Sequence, residues 1–176
     1  MDSAPIIRTL SPDEALAAAG ALGAVLFDCV AGGASVSFMA DLTCERAEGF
    51  WRDAAIAARS DGRAIIIAEL AGEIVGVVQL VPVAIDNQPH RAEVAKMLVR
   101  RGARRAGVGA ALMAAVEVEA RRMGRWLLTL DTVTGEAGER LYRRMGWTHA
   151  GDIPDYALFP DGRLCGTSLF YKRLRA

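Results

Sequence analysis

The sequence predicts an α/β fold, a mixed central sheet of six to seven strands flanked by about four helices. Three observations predict it. Short Ile- and Val-rich runs bounded by turn residues recur along the chain, runs of helical spacing separate them, and the order changes from adjacent strands early on to strand–helix–strand in the middle. The early order gives antiparallel hairpins and the later one a parallel crossover. At 176 residues, 52% hydrophobic and 24% charged, the chain has the size and composition of one packed domain, read here as spanning 1–176.

Residues 6–10 form the first strand candidate. Ser11-Pro12-Asp13-Glu14 then offers an N-cap serine, a proline in the first turn and a glutamate to close a capping box, so a helix begins there. Leu16, Ala19, Leu22, Leu26 and Val30 carry its apolar face until Gly32 and Gly33 break the pattern. A second helix spans 43–60 and ends at Asp61-Gly62. From 63 to 83 the period becomes that of a β-hairpin, turning at Ala71-Gly72, and after the turn residues 86–89 a further strand covers 91–99. A helix over 107–123 follows, with Val108, Leu112, Ala115, Val116, Ala120 and Met123 as its apolar stripe and Glu117 and Arg121 as an exposed pair. Strand 126–132, helix 136–145 and strands 147–151 and 164–172 complete the order. The last two are separated by a loop with turn signals at Ile153-Pro154-Asp155 and Pro160-Asp161-Gly162.

Several function classes are disfavoured by composition. Lys plus Arg and Asp plus Glu number 21 each, so no net field draws the chain to nucleic acid or an anionic membrane. Cys29, Cys44 and Cys165 are too dispersed for a metal site or disulfide framework, and His90 and His149 lack partners at ligand spacing, so no metal is expected. The segment MDSAPIIRTL does not read as a secretory signal, and the longest apolar run, 74–85, is broken by Gly76, Gln79 and Pro82. The expectation is a cytoplasmic protein, monomer or homodimer.

The stretch that carries chemistry is Arg104-Arg105-Ala106-Gly107-Val108-Gly109, an R-x-x-G-x-G run between a strand and a helix. Amides of a first helical turn point outward, the helix dipole favours negative charge, and glycine lets a phosphate approach the backbone. A diphosphate suits that need. The site also lies at the carboxyl end of a strand entering a crossover, where ligands of α/β sheets commonly bind.

This run resembles the phosphate loop of the GNAT superfamily of N-acetyltransferases, and Leu141-Tyr142-Arg143-Arg144-Met145-Gly146-Trp147 matches that family's later L-Y-x-x-x-G-F/W element. Further similarity is to the tabtoxin-resistance type. It rests on Gly32-Gly33-Ala34-Ser35-Val36, 38–42, Arg91-Ala92-Glu93-Val94, Leu130-Asp131-Thr132 and 160–164. Two departures stand out: Arg105 replaces the glycine many members have after the motif arginine, and Gly135 replaces an asparagine seven residues before the motif tyrosine.

The resemblance implies a GNAT-type acyl-CoA N-acyltransferase fold, acetyl-CoA as co-substrate and a small-molecule amine as acceptor, attacking the thioester directly in a ternary complex. It places the cofactor on Met97, Leu98 and Val99, whose backbone would bind the pantetheine arm, and on Arg104, Arg105, Ala106, Gly107, Val108, Gly109 and Ala110. Glu93 would act as base, with burial on an apolar strand raising its pKa; Asp131 is the other carboxylate for that role, and pairing of Glu93 with Arg91 or Lys96 is its plainer reading. Tyr142 would return a proton to the departing thiolate, and Ser35 and Asp41 would touch the acceptor. The alternatives are a CoA-binding regulatory protein without turnover, or a nucleic-acid module built on Arg100, Arg101, Arg104 and Arg105.

Overall fold

The computed structural model describes residues 4–174. The first three residues of the N-terminal stretch read above for a signal lie outside the described ones. Seven strands form one mixed sheet in the order β1-β2-β3-β4-β5-β7-β6. They are β1 (Ile6–Leu10), β2 (Ala64–Leu70), β3 (Glu73–Pro82), β4 (Arg91–Val99), β5 (Leu127–Val133), β6 (Thr148–Leu158) and β7 (Leu164–Arg173). The helices are α1 (Pro12–Ala17), α2 (Ala19–Ala31), α3 (Cys44–Asp61), α4 (Val108–Arg122) and α5 (Ala137–Arg144). All pairings are antiparallel except β4 with β5, which α4 joins as a crossover.

Alternation along the strands divides the core in two. Ile66, Ala68, Val78 and Leu80 face α4, where Val108, Leu112, Met113 and Val116 are buried. Ile65, Ile67 and Val77 face the other way, against Leu22, Val25 and Leu26 of α2 and Trp51 of α3. The sheet is therefore covered on both faces, which explains why β2 and β3 read as nearly continuous apolar runs.

The predicted capping box forms, with the Ser11 amide donating to Glu14 Oε2 at 2.8 Å and the Glu14 amide to Ser11 Oγ at 3.3 Å. The Ala71-Gly72 turn has φ of 50° and 82°, the left-handed pair that a two-residue hairpin requires.

Three readings need correction. The first predicted helix is two, α1 and α2, with Ala18 at φ −86° and ψ 1° between them. Its apolar stripe stays in phase across the break, and the redirected axis brings α2 onto α3 so closely that a Cβ on Gly23 would lie 2.8 Å from the Glu48 nitrogen. Second, β6 runs through Ile153-Pro154-Asp155 as a bulge, with Ile153 opposite Thr167 and Ala157 opposite Cys165. Proline is tolerated there because β6 is an edge strand. Third, Glu117 and Arg121 do pair, at 4.0 Å, but the pair is exposed only at its arginine: the Glu117 side chain is 14% exposed and also accepts from Lys172, which donates in addition to the Met145 carbonyl at 2.7 Å.

Candidate functional site

Parallel pairing between β4 and β5 is brief. Arg91 faces Leu127, Ala92 faces Leu128 and Glu93 faces Thr129, and no further pair forms. From Val94 on, β4 stays bonded to β3 and β5 to β7, so the two strands splay apart and the β5-side edge of β4 has no strand partner. Met97, Leu98 and Val99 lie along that open edge, and the gap leads to the start of α4.

Midway along the edge β4 carries a bulge. Val77 pairs with Leu98 but Gln79 with Ala95, so Lys96 and Met97 together oppose Val78, and Lys96 takes a left-handed φ of 50°. The extra residue inverts the alternation. Ala92 and Val94 face the α4 core, yet Leu98, two further even positions along, faces the α2–α3 core. Met97 and Val99 turn to the α4 side instead. Bulges re-aim side chains in this way. Sequence reading missed Lys96 because a bulge leaves no mark in the pattern.

The Lys96 ammonium donates to Ser37 Oγ at 3.0 Å and lies 5.6 Å from the Phe50 ring centre. Burial pushes it below the usual lysine range, opposed by the Asp131 charge. Phe38 and Phe50 meet edge-on at 5.5 Å, and Phe50 meets Trp51 at 5.2 Å, giving this side of the gap an apolar wall.

Beyond Val99 the chain makes one 3₁₀ turn, 101–103, and enters the glycine run. The Arg104 amide donates to the Arg101 carbonyl at 3.3 Å and the Ala111 amide to the Gly107 carbonyl at 3.0 Å. The six amides between them, 105–110, have no hydrogen-bond partner among the described residues. Arg104 is thus not part of the amide row expected to begin with it; its side chain instead donates through Nε to the Val99 carbonyl at 3.3 Å. Gly107 caps α4 at φ 78°, a conformation favouring glycine. Gly109 sits where space is tight, since a Cβ there would lie 3.2 Å from Leu141 Cδ2 and 3.9 Å from Met97. Arg105, where the resembled motif has glycine, adopts φ 66° regardless. The row of free donors at a helix N-terminus, opened by glycines, fits the diphosphate of a CoA thioester.

The two carboxylates differ. Burial expected at Glu93 is absent: its side chain is 56% exposed and accepts from Arg91 at 2.9 Å, while the same guanidinium nitrogen donates to Thr129 Oγ1 at 3.0 Å. Glu93 is therefore not desolvated, and it pairs with Arg91. Asp131 lies on β5 just past the last β4–β5 pair and accepts from Thr167 Oγ1 at 3.2 Å. Its charge acts on both Lys96 of β4 and Tyr142 of α5, so Asp131 lies within electrostatic reach of both.

Tyr142 is 5% exposed, its ring packed 6.0 Å from Trp147 and 6.1 Å from Phe170. Its hydroxyl has no hydrogen-bond partner among the described residues. Burial, and secondarily the Asp131 charge, pushes the phenol well above the ordinary tyrosine value, so it stays protonated at neutral pH.

Of the two expected acceptor contacts, Ser35 Oγ donates to the Leu158 carbonyl at 2.7 Å and accepts from Cys165 Sγ at 3.6 Å, latching loop 32–43 to the β6–β7 hairpin. The Asp41 side chain is 79% exposed, 3.8 Å from Arg46. Neither is brought near Lys96 or Asp131 by any bond. Two of the four arginines of the run are occupied, Arg101 with Asp28 at 2.9 Å and Arg100 with Glu73 at 3.9 Å, which weakens a nucleic-acid surface there. Cys29 donates to the Val99 carbonyl at 3.4 Å, and burial pushes its thiol up, away from nucleophilic use.

Residues 61–149, just over half of the chain, match the acetyltransferase (GNAT) domain family. Among solved structures the chain is similar to a ribosomal-protein-alanine N-acetyltransferase of Brucella melitensis, with 23% identity and TM-score 0.78 over 96% of this chain and 99% of that one. An N-acetyltransferase of Staphylococcus aureus Mu50 superposes with TM-score 0.81 at 17% identity, over 98% of this chain and 100% of the other. A Salmonella typhimurium protein solved with its cofactor acetyl-CoA superposes with TM-score 0.80 at 18% identity, over 99% and 96%. These likenesses show the fold.

Proposed function

Because the chain belongs to the GNAT acetyltransferase family and is an acetyl-CoA-dependent acetyltransferase, we propose that it acetylates a primary amine of a small molecule by direct attack in a ternary complex. The observation that carries the reading is the row of six unpartnered amides at the start of α4, set beside the unpaired edge of β4. We read residues 1–176 as one catalytic domain, since both core layers rest on the same sheet.

Acetyl-CoA, when bound, supplies an activated thioester carbonyl. The amides of 105–110 would hold its diphosphate, and the free edge of β4 at Met97, Leu98 and Val99 would align the pantetheine arm. An acceptor amine arrives protonated at neutral pH, so a base must take a proton before attack. Asp131 fits that task at the mouth of the splay, while Glu93, exposed and bound to Arg91, fits relay of the proton to solvent. Tyr142, kept protonated by its burial, would deliver a proton to the leaving sulfur. Ser35 and Asp41 would act at one remove, Ser35 by fixing the loop that carries Ser37 and Phe38.

The similarity to the tabtoxin-resistance type supports an amino-acid-like acceptor, a toxin or antibiotic of that kind included. Calorimetric titration of acetyl-CoA, followed by an amine screen read as release of free CoA, tests this. No heat with acetyl-CoA would overturn the cofactor assignment; binding without acetylation of any amine would overturn the reaction.

A further inference from the structure

The chain carries 21 basic residues, of which two, Lys96 and Lys172, are lysines. Arginine serves nearly everywhere else. Lys172 has an ion partner in Glu117. Lys96, on the strand bulge and half-buried against Phe50, forms no ion pair among the described residues; its one hydrogen bond goes to the neutral hydroxyl of Ser37. An ammonium drawn partly out of water with no salt-bridged partner is costly even with the Asp131 charge in reach, and the bulge that presents it holds a non-glycine residue at φ 50°. Two such costs at one residue, beside the gap where the acceptor must enter, point to a role in binding.

We propose that Lys96, steadied by Ser37, is the anion subsite of the acceptor pocket, so that the preferred acceptor is an amine that also bears a carboxylate. The inference rests on the acetyl-transfer reading above and names what that site selects. Charge decides for a carboxylate over a phosphate. One ammonium faces the site and Asp131 already contributes a negative charge nearby; a monoanion with its own ammonium leaves the pocket balanced, whereas a dianion does not. The acceptor is thereby oriented, its carboxylate toward the loop carrying Ser37 and its amine toward Asp131. The wall of Phe38 and Phe50 lowers the local dielectric and strengthens both contacts. Lysine rather than arginine suits a single compact charge on a short tether to Ser37 Oγ.

The test uses the full chain and the twenty common amino acids, each as free acid and as α-carboxamide, with phenethylamine and cadaverine as amines lacking the carboxylate. The wild type is expected to acetylate its best free acid with kcat/KM at least about tenfold above the matching amide. Lys96→Met should erase that preference chiefly through acceptor KM, and Lys96→Arg should restore much of it. Acetyl-CoA affinity, measured by calorimetry on each variant, reports folding and cofactor binding separately. Failure to bind acetyl-CoA would fail the underlying reading. Intact binding with no acid acetylated, with acids no better than amides, or with a preference that survives Lys96→Met, would overturn the Lys96 subsite alone.

Discussion

Replacing Tyr142 by phenylalanine should separate activity from stability. The ring is buried among Trp147 and Phe170, and phenylalanine keeps that packing. The hydroxyl has no hydrogen-bond partner to lose among the described residues, so the fold should change by less than about 0.5 kcal/mol. If the hydroxyl delivers the proton to the leaving sulfur, kcat should fall by about 10²–10⁴, a barrier increase of roughly 3–5 kcal/mol. Acetyl-CoA binding, held elsewhere, should not move. There is a pH signature as well. The Tyr142 phenol is raised in the fold, so above about pH 10 the unfolded chain loses a proton the folded chain keeps, and stability declines with pH. Tyr142→Phe should remove that contribution and flatten the alkaline decline. Steady-state kinetics, calorimetry and urea unfolding at pH 7.5 and at alkaline pH give all three readouts. A variant that keeps most of its kcat, or one whose lost activity tracks lost stability, would refute the assignment.

The two carboxylates should rank unequally: Asp131→Asn is expected to lower kcat by about 100-fold or more and Glu93→Gln by less than about tenfold. The reverse order in steady-state kinetics would move the base to Glu93. Gly76 on β3 lies under the first turns of α4, where a Cβ would meet Leu112 Cδ1 and Val108 Cγ1 at 3.0 Å and the Leu98 carbonyl at 3.1 Å. Gly76→Ala should therefore destabilise by about 1–3 kcal/mol and weaken acetyl-CoA binding by tilting the amide row. Gly49→Ala, in helix α3 with open space around it, should stabilise by up to about 1 kcal/mol in the same urea assay. Arg105→Gly should relieve a left-handed arginine and raise stability by roughly 0.5 kcal/mol, the αL strain outweighing glycine's entropy. If amides rather than the Arg105 charge hold the diphosphate, its acetyl-CoA Kd should shift less than about threefold; a larger loss in calorimetry would favour the charge.

How much was legible depended on whether a feature is local. Ser11 with Glu14, Ala71 with Gly72, and the glycines ending α3 and opening α4 act through their own backbone, and each reads directly from residue types. The succession of strands and helices, antiparallel at first and with one parallel crossover at α4, was legible from these signals together with the residue periodicities. What escaped was decided at a distance. The break at Ala18 is invisible because Leu16, Ala19 and Leu22 keep one stripe through it. Pro154 signals a turn anywhere but on an edge strand, and edge position is a property of the whole sheet. Glu93 looked buried because its neighbours Ala92 and Val94 are, but its own face lies at the Arg91 side of the sheet. Arg104 was expected to open the amide row and is excluded from it by a 3₁₀ turn that no residue type announces.

The bulge at Lys96 is the clearest of these hidden features, and much of the site follows from it. In Arg91-Ala92-Glu93-Val94-Ala95-Lys96-Met97-Leu98-Val99 a straight strand would send Ala92, Val94, Lys96 and Leu98 to one face. That would drive an ammonium into the α4 core. One extra residue removes the conflict: Lys96 goes to the loop side, Leu98 to the α2–α3 core, and Met97 toward Gly109 at the start of α4. A bulge also bends its strand and increases the local twist. A parallel neighbour needs evenly spaced bonds to follow it, and pairing with β5 ends at Glu93, three positions before Lys96. The gap that would admit the thioester and the cation that would orient the acceptor thus share one backbone irregularity. A deletion that straightened β4 should remove both together.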